Sequence, residues 1–287
     1  MDNLEVCRKT REIAAQSLHS ALDVSLQGTD VSEADLRNLW VDELRKNKNI
    51  FENGWYMPPE NGVGVIFATD SDSGRLNYGT LRKMEAEDTV MMDTKKGIVY
   101  VYASPVDRRT GIIGDFGMTI YFGKNQKIIN HLLNCREINN SIFSAMKTGM
   151  PFSEIHSRAV DIIERRGLFN DVVTTTDPGS SNVMGHTIPA IHDSWDGNEI
   201  KIFESGTWGK IKDVISRKRK FISSTENTTI SPPMAVTIEP RVRSAQLPIV
   251  SYHTISVFRE NSQKEMLENF DDIFSLTGMD YMLGEQK

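Results

Sequence analysis

The chain has 287 residues, of which 39% are hydrophobic and 25% are charged, a balance typical of a globular protein that can bury a sizeable core. Its formal net charge of −6 argues against nucleic acid as the main ligand, and the basic run at 217–220 is interpreted as a solvated face. No apolar run approaches the roughly 20 residues of a membrane span, and the N-terminus lacks the apolar segment of a secretory signal. We therefore expect a cytoplasmic protein with neither nucleic acid nor a membrane as a partner.

The two cysteines, Cys7 and Cys135, lie in segments of helical periodicity. Two cysteines cannot form a disulfide framework, so we interpret them as buried free thiols. A reducing, cytoplasmic setting follows as the default.

Two similar pairs of helices are predicted along the chain. Residues 4–26 carry small and apolar side chains at three- and four-residue steps, and a second amphipathic helix follows the turn at Gly28. A third helix over 127–148 ends at Gly149, and Ser153 is expected to cap a fourth. The two turns match at an offset of 149 − 28 = 121 residues, which suggests an internal duplication.

Strands are predicted where apolar residues alternate with polar ones or form short runs between turns. The predicted strands are 63–67, 89–93, 97–103, 119–122, 234–239 and 249–258. Residues 263–276 are predicted to form a closing helix. No linker divides the chain, so we expect one domain over 1–287, and we interpret the polar, turn-rich stretch 194–231 as an inserted loop or flap.

Five ionisable residues lie in or beside apolar segments, where an unpaired charge is costly to bury. They are Asp93, Asp115, His186, Glu239 and His253. Each alone has an ordinary structural interpretation, because a carboxylate at a strand end often caps a turn and a strand histidine is often a hydrogen-bonded core residue. Together they supply carboxylate oxygens and imidazole nitrogens on separate segments, which is how a divalent metal is held.

Four segments resemble, in the same order, those of the pita-bread metallopeptidases, which include methionine aminopeptidases, Xaa-Pro aminopeptidases, prolidases and creatinase. The segments are 85–93, 114–123, 184–193 and 234–240. The resemblance implies an α+β pita-bread fold, in which two duplicated helix–strand halves surround a curved antiparallel sheet. It also implies a divergent member of the family without the separate N-terminal domain of prolidases and Xaa-Pro aminopeptidases.

The same resemblance implies a metal site. Asp93, Asp115, His186 and Glu239 correspond to metal ligands, and His253 stands at the position of a fifth. The implied cofactor is one or two divalent ions of manganese, iron, zinc or cobalt, among which the sequence does not choose.

Catalytic and substrate-binding roles are implied in the same way. Glu239 is the expected proton shuttle as well as a ligand, and His192 is expected to contact a substrate oxygen. A histidine that contacts substrate in the family falls near Asn77 and Tyr78, which become the substrate-contact candidates.

Three departures from the family pattern bear on the chemistry. Asp93 and Asp115 are 115 − 93 = 22 residues apart, about twice the family spacing, and His186 and His192 are one residue closer than usual. His253 replaces a carboxylate that bridges two metals, and a neutral imidazole nitrogen cannot bridge in that way. The implied set has a charge of −3 from its three carboxylates, which favours one metal or a weaker, differently spaced pair.

We therefore predict a metal-dependent hydrolase of the aminopeptidase or prolidase type. It would act through a metal-activated water on a small peptide- or amide-like substrate, as a homodimer. One alternative is a non-peptidase enzyme on the same fold, with creatinase-like C–N cleavage or other small-molecule chemistry. Another is a catalytically decayed binding protein, although the retained polar residues favour an enzyme.

Overall fold

A computed structural model describes residues 2–57, 59–69, 73–76, 86–171, 182–261 and 263–284 of the chain. The described helices are α1 (Asn3–Gln27), α2 (Glu33–Arg45), α3 (Gln126–Ala145), α4 (Phe152–Glu164), α5 (Gly197–Ser205), α6 (Trp208–Lys218) and α7 (Asp271–Leu276). The described strands are β1 (Val63–Thr69), β2 (Gly97–Ala103), β3 (Phe116–Tyr121), β4 (Phe169–Asn170), β5 (Met234–Ile238), β6 (Arg241–Arg243), β7 (Val250–Phe258) and β8 (Lys264–Leu267).

The strands form one antiparallel sheet with β7 at its centre. The order of neighbours is β1-β2-β3-β7-β6-β4, and β5 and β8 both pair with the second half of β7. All nine residues of β7 are buried, and His253 near its middle lies opposite Gly117 of β3. Because β7 pairs with both β3 and β5, it brings the ends of those two strands to one place.

Each half of the sheet is covered by its own pair of helices. α1 packs against α2, which lies on β1, and α3 packs against α4 and lies on β7. The indole nitrogen of Trp40 donates to the carbonyl of Ala14 at 3.1 Å and so joins α1 to α2. This arrangement agrees with the duplication predicted from the sequence. None of the helices in the described ranges combines the length and the apolar composition that crossing a bilayer would take.

Three predicted elements differ from the structure. Residues 89–93 are not a strand: Met91 makes a single bridge to Ser32, and the chain then turns into β2. Only the last part of the predicted helix over 263–276 is helical, as α7. The preceding residues form β8, which pairs with the end of β7. The cap of α4 is Pro151, and Ser153 lies inside the first helical turn.

The segment 194–231 contains α5 and α6 and returns to the body of the protein. Trp208 at the start of α6 contacts Phe51, with ring centroids 5.2 Å apart, and Lys212 Nζ donates to the carbonyl of Met57 at 2.8 Å. This segment therefore packs against the loop that precedes β1.

A buried ion pair covers the outer side of the edge strand β1. Glu33 at the start of α2 is fully buried, and its Oε1 accepts from the backbone N–H of Phe67 at 2.5 Å. Arg75 donates to the same carboxylate and, at 2.9 Å, to the carbonyl of Phe67. Both backbone groups that Phe67 turns away from β2 are thus satisfied without another strand.

Candidate metal centre

Three of the predicted ligands converge in the structure. Asp115 directly precedes β3, Glu239 directly follows β5, and His186 lies in a segment that runs beside β5. All three are buried, and each offers one ligand atom within 4.8 Å of the others. The His186 Nε2 atom is 3.3 Å from Asp115 Oδ2 and 3.5 Å from Glu239 Oε1. Two carboxylates and one imidazole therefore face a common point.

Backbone pairing with β5 holds His186 in place. The N–H of Thr237 donates to the carbonyl of His186 at 2.7 Å, and that of Glu239 donates to the carbonyl of Met184 at 2.9 Å. The His186 ring Nδ1 is 2.9 Å from the carbonyl oxygen of Thr187. A carbonyl only accepts, so Nδ1 donates a proton to it, and Nε2 is the ring nitrogen that faces the two carboxylates. Most metal-bound histidines are oriented in this way by a hydrogen bond from the other ring nitrogen.

The segment that carries His186 approaches β5 through Gly185. This residue has a φ of +149°, and a Cβ added to it would come within 1.9 Å of the carbonyl oxygen of Thr237. A side chain at this position would push the two segments apart. Glycine therefore sets the distance between His186 and Glu239.

Thr237 links the histidine to the glutamate. Its hydroxyl donates to Glu239 Oε1 at 2.9 Å and accepts from the backbone N–H of His186 at 2.9 Å. The other oxygen of Glu239, Oε2, lies 3.8 Å from Arg241 Nη2 and 3.4 Å from His253 Nδ1. One carboxylate oxygen is thus fixed, and the second faces two nitrogen-bearing side chains.

His253 lies at the border of the converging residues. Its Nδ1 is 3.8 Å from Asp115 Oδ1, as well as 3.4 Å from Glu239, and its Nε2 is 3.0 Å from the hydroxyl of Tyr100. A Cβ on Gly117 would approach the ring to 2.9 Å, so the absence of a side chain there admits the imidazole. That His253 is a metal ligand stays a prediction.

The surroundings of the Asp115 carboxylate suit a bound cation. Both of its oxygens are buried, and neither accepts a hydrogen bond from any of the described residues. Burial alone would raise the pKa of Asp115, but the contacts with His186 and His253 outweigh it and hold the pKa well below its usual range. Buried carboxylate oxygens that face imidazole nitrogens fit a divalent metal, which would bind in place of an imidazole proton.

The structure corrects the prediction for Asp93. Its Oδ1 accepts from the backbone N–H groups of Lys95 and Lys96 at 2.9 and 3.1 Å, so the carboxylate caps the turn before β2. Asp115 lies beyond the other end of β2, about 20 Å away for seven residues at roughly 3.3 Å each. The prediction that Asp93 is a ligand with Asp115 is therefore wrong.

Ser104 occupies the position opposite Asp115. The register Ala103↔Phe116 continues past the strand ends and pairs residue 104 with residue 115. The Ser104 hydroxyl accepts from the N–H of Tyr56 at 3.1 Å. Sequence reasoning missed this residue, although Ser104 is 115 − 104 = 11 residues from Asp115, half the spacing assigned to Asp93.

The predicted substrate contacts are less defined. His192 is half-buried and is not among the three converging residues. Burial lowers the pKa of its imidazole and so favours the neutral form. Its role in binding substrate stays a prediction. Asn77 and Tyr78 lie outside the described residues.

Aromatic rings and one guanidinium surround His186, and sequence reasoning missed them. The ring of Trp55 stands edge-on to His186 at 5.8 Å, and that of Phe221 lies 6.3 Å away. The Arg219 guanidinium lies between these two rings, 4.3 Å from the centroid of Trp55 and 4.1 Å from that of Phe221. Residues 219–221 of segment 194–231 therefore reach the candidate metal centre.

Comparisons with known proteins bear on the fold. The fold resembles an X-Pro aminopeptidase from Thermotoga maritima (TM-score 0.61, 13% identity, 93% of this chain and 60% of that one). It also resembles a prolidase from Pyrococcus horikoshii (TM-score 0.61, 16% identity, 93% of this chain and 61% of that one). A third similar structure is a His361Ala aminopeptidase P from Escherichia coli (TM-score 0.59, 13% identity, 97% of this chain and 59% of that one). The chain thus spans about three fifths of the length of these structures. No curated protein matches the sequence.

A sequence profile described as "Metallopeptidase family M24" matches residues 5–261, nearly the whole chain. The predicted α+β pita-bread fold is confirmed by this match together with the structural neighbours. The predicted metal-dependent hydrolase agrees with the description of this family and stays a prediction. The chain belongs to metallopeptidase family M24.

Proposed function

We propose that the protein hydrolyses a small peptide- or amide-like substrate with the help of one divalent cation held by Asp115, His186 and Glu239. The observation that carries the proposal is the buried Asp115 carboxylate, whose oxygens face His186 and Glu239 and accept no hydrogen bond from the described residues. Two carboxylates balance the charge of one divalent ion. Such an ion, when bound, polarises the scissile carbonyl and lowers the pKa of a water.

The protein residues have separate tasks in this proposal. Thr237 fixes Glu239 Oε1 by a hydrogen bond, so Oε2 is the oxygen available to accept a proton from the attacking water. His192 donates an N–H to the substrate oxygen; its lowered pKa keeps it neutral, so it adds no charge beside the cation. Trp55 and Phe221 cover His186 and limit the access of water.

A second candidate is a C–N hydrolase on the same scaffold that works without a metal. Arg241 favours it, because a guanidinium 3.8 Å from Glu239 offsets part of the negative charge that would attract a cation. His253, between the two carboxylates, would then move the proton. The orientation of His186, with Nδ1 bonded to a carbonyl and Nε2 facing both carboxylates, supports the metal-dependent proposal more strongly.

Metal analysis of the purified protein separates the two candidates. We expect protein purified without added metal, then stripped and reloaded with manganese, iron, zinc or cobalt, to bind one equivalent. Asp115→Ala should abolish binding, whereas Asp93→Ala, a matched carboxylate that only caps a turn, should bind as the wild type does. Hydrolysis by metal-free wild type, unchanged on metal addition, would favour the second candidate.

Substrate tests refine the proposal. Removal of one positioned polar group typically costs about 10²–10³ in rate, and here Ser104 and His253 both depart from the family pattern. We therefore expect weak turnover of Met-Ala and Xaa-Pro peptides, and a panel of small peptides and amides should reveal a better substrate. Efficient turnover of either peptide class would refute this part.

The homodimer and the cytoplasmic location are predictions from the sequence that we retain as part of the proposal. Light scattering coupled to size-exclusion chromatography measures the first, and fractionation of cells that express the chain measures the second. A monomer at micromolar concentration would contradict the proposed dimer.

A further inference from the structure

Arg11, in the middle of α1, is a fully buried cation whose hydrogen bonds all go to backbone carbonyls. Its relative exposure is 0%. Its Nη1 donates to the carbonyl of Asp115, and its Nη2 donates at 2.6 Å to the carbonyls of His253 and Glu268. Asp115 is one of the three converging residues of the candidate metal centre, and His253 lies at their border. One side chain thus joins the backbones of β3 and β7 at the points from which these two residues extend.

The surroundings of Arg11 fix its position. The guanidinium lies over the ring of Phe116 at 5.0 Å and over that of Phe270 at 5.4 Å. The backbone of α1 touches Gly114, where an added Cβ would come within 2.3 Å of Thr10 and 2.5 Å of the Arg11 nitrogen. The helix is therefore seated directly against the residue before Asp115, and Arg11 has little freedom to move.

A packing role alone does not explain this choice of residue. A buried guanidinium loses its hydration, and its hydrogen bonds here go to neutral acceptors instead of a carboxylate. Burial lowers the pKa of Arg11 to about 10, with the charge of Asp115 acting in the opposite direction, so the group remains charged at neutral pH. An apolar side chain would fill the space between two phenyl rings without this cost. An apolar side chain could not hold the backbone carbonyls of Asp115 and His253 at a fixed separation.

We propose that Arg11 is a positioning residue that sets the spacing and direction of Asp115 and His253 at the metal centre. It acts through the backbone of both residues and touches neither the metal nor the substrate. This inference rests on the proposed function, since it concerns the same metal site. It predicts that Arg11 variants bind metal weakly even when they are fully folded.

Metal affinity and the cobalt spectrum test the role. Arg11→Lys and Arg11→Met are compared with Arg136→Lys and Arg136→Met. Arg136 is the control, because it also donates to a backbone carbonyl, that of Met282, and lies 5.5 Å over the ring of Phe274. Its other partners are the carboxylates of Glu268 and Asp271, and among the described residues it contacts none of the metal-centre residues. The dissociation constants of Zn²⁺ and Co²⁺ are measured by competition with a chelating dye, at a temperature where circular dichroism shows each variant folded.

We expect Kd to rise about 100-fold in Arg11→Met and about 10-fold in Arg11→Lys, the range found for residues that orient metal ligands. The visible absorption of bound Co²⁺ should change in the Arg11 variants and stay as in the wild type in the Arg136 variants, with Kd within about twofold. If Arg11→Met does not fold, Arg11→Lys decides alone.

Two results would overturn the inference by itself. Folded Arg11 variants with wild-type Kd and spectrum would make Arg11 a packing residue, and equal losses in the Arg11 and Arg136 variants would point to a general effect of stability. A wild type that binds neither ion would refute the proposed function, and this inference with it.

Discussion

Gly185 offers a direct test of how the metal centre is built. In Gly185→Ala the new methyl would lie 1.9 Å from the carbonyl oxygen of Thr237, and real contacts of this kind are not shorter than 3.0 Å. The segments must therefore separate by at least 3.0 − 1.9 = 1.1 Å. The hydrogen bonds between Thr237 and His186 and between Glu239 and Met184, at 2.7 and 2.9 Å, would stretch beyond useful length.

The expected magnitude follows from these contacts. Two lost hydrogen bonds cost about 1 kcal/mol each, and alanine at a positive φ adds about 1–2 kcal/mol, so the free energy of unfolding should fall by about 3–4 kcal/mol. A ligand bond to zinc is about 2.0–2.1 Å long, so moving the His186 nitrogen by roughly 1 Å should raise the metal Kd at least about 100-fold.

Gly149→Ala is the matched control. Gly149 has a φ of +82°, but a Cβ added there would meet nothing within 4 Å. This variant should lose only the backbone cost of about 1–2 kcal/mol and bind metal normally. Urea denaturation in the presence of a chelator measures stability, and dye competition measures Kd. A Gly185→Ala protein with wild-type Kd, or with no greater loss of stability than Gly149→Ala, would refute the reasoning.

Three further predictions concern single residues. Thr237→Val keeps the shape of the side chain but leaves Glu239 Oε1 without its hydroxyl donor, so the metal Kd measured by calorimetry should rise about 10–100-fold. An unchanged Kd would show that the hydrogen bond from Thr237 to Glu239 does not matter for metal binding. His253→Ala should raise the Kd at least about tenfold, whereas wild-type Kd and activity in a folded variant would make His253 an ordinary core residue. Burial raises the pKa of Cys7 to about 12, so a thiol reagent at pH 8 should modify it only after unfolding. This folded pKa exceeds the unfolded value of about 8.5, so the contribution of Cys7 to the free energy of unfolding is fully present below pH 8.5. Above that pH it should fall by up to about 1.4 kcal/mol per pH unit, and Cys7→Ala should not show this fall in stability.

Residues of the candidate metal centre could be predicted where a local sequence pattern marks them. Asp115 and Glu239 each adjoin a short apolar strand, and His186 follows a glycine in a recognisable motif, so the sequence named all three as candidate ligands, and the structure brings them together. Strand register is not local, however. Asp93 ends an apolar run as Asp115 begins one, and only the pairing of β2 with β3 shows that Ser104 is the residue opposite Asp115.

Tertiary pairing also overrode a local signal near the C-terminus. The spacing of Phe270, Ile273 and Phe274 is helical, and these residues do lie in or next to α7. The pattern gave no reason for the helix to begin only at residue 271. The preceding residues form β8 instead, because β7 extends far enough to pair with them. The pattern of the stretch 194–231 predicts a loop or flap but does not indicate which of its residues lies beside His186; in the structure that residue is Phe221.

The Glu33–Arg75 pair on β1 has a consequence for behaviour in solution. An outer strand with unpaired backbone groups is a template on which a second molecule can add its own strand, and such addition leads to aggregates. At Phe67 the carboxylate and the guanidinium occupy the places that an incoming strand would use. Loss of Arg75 would reopen that place while leaving the metal residues untouched. Damage at this position would therefore show first as self-association, in a protein whose candidate metal centre is intact.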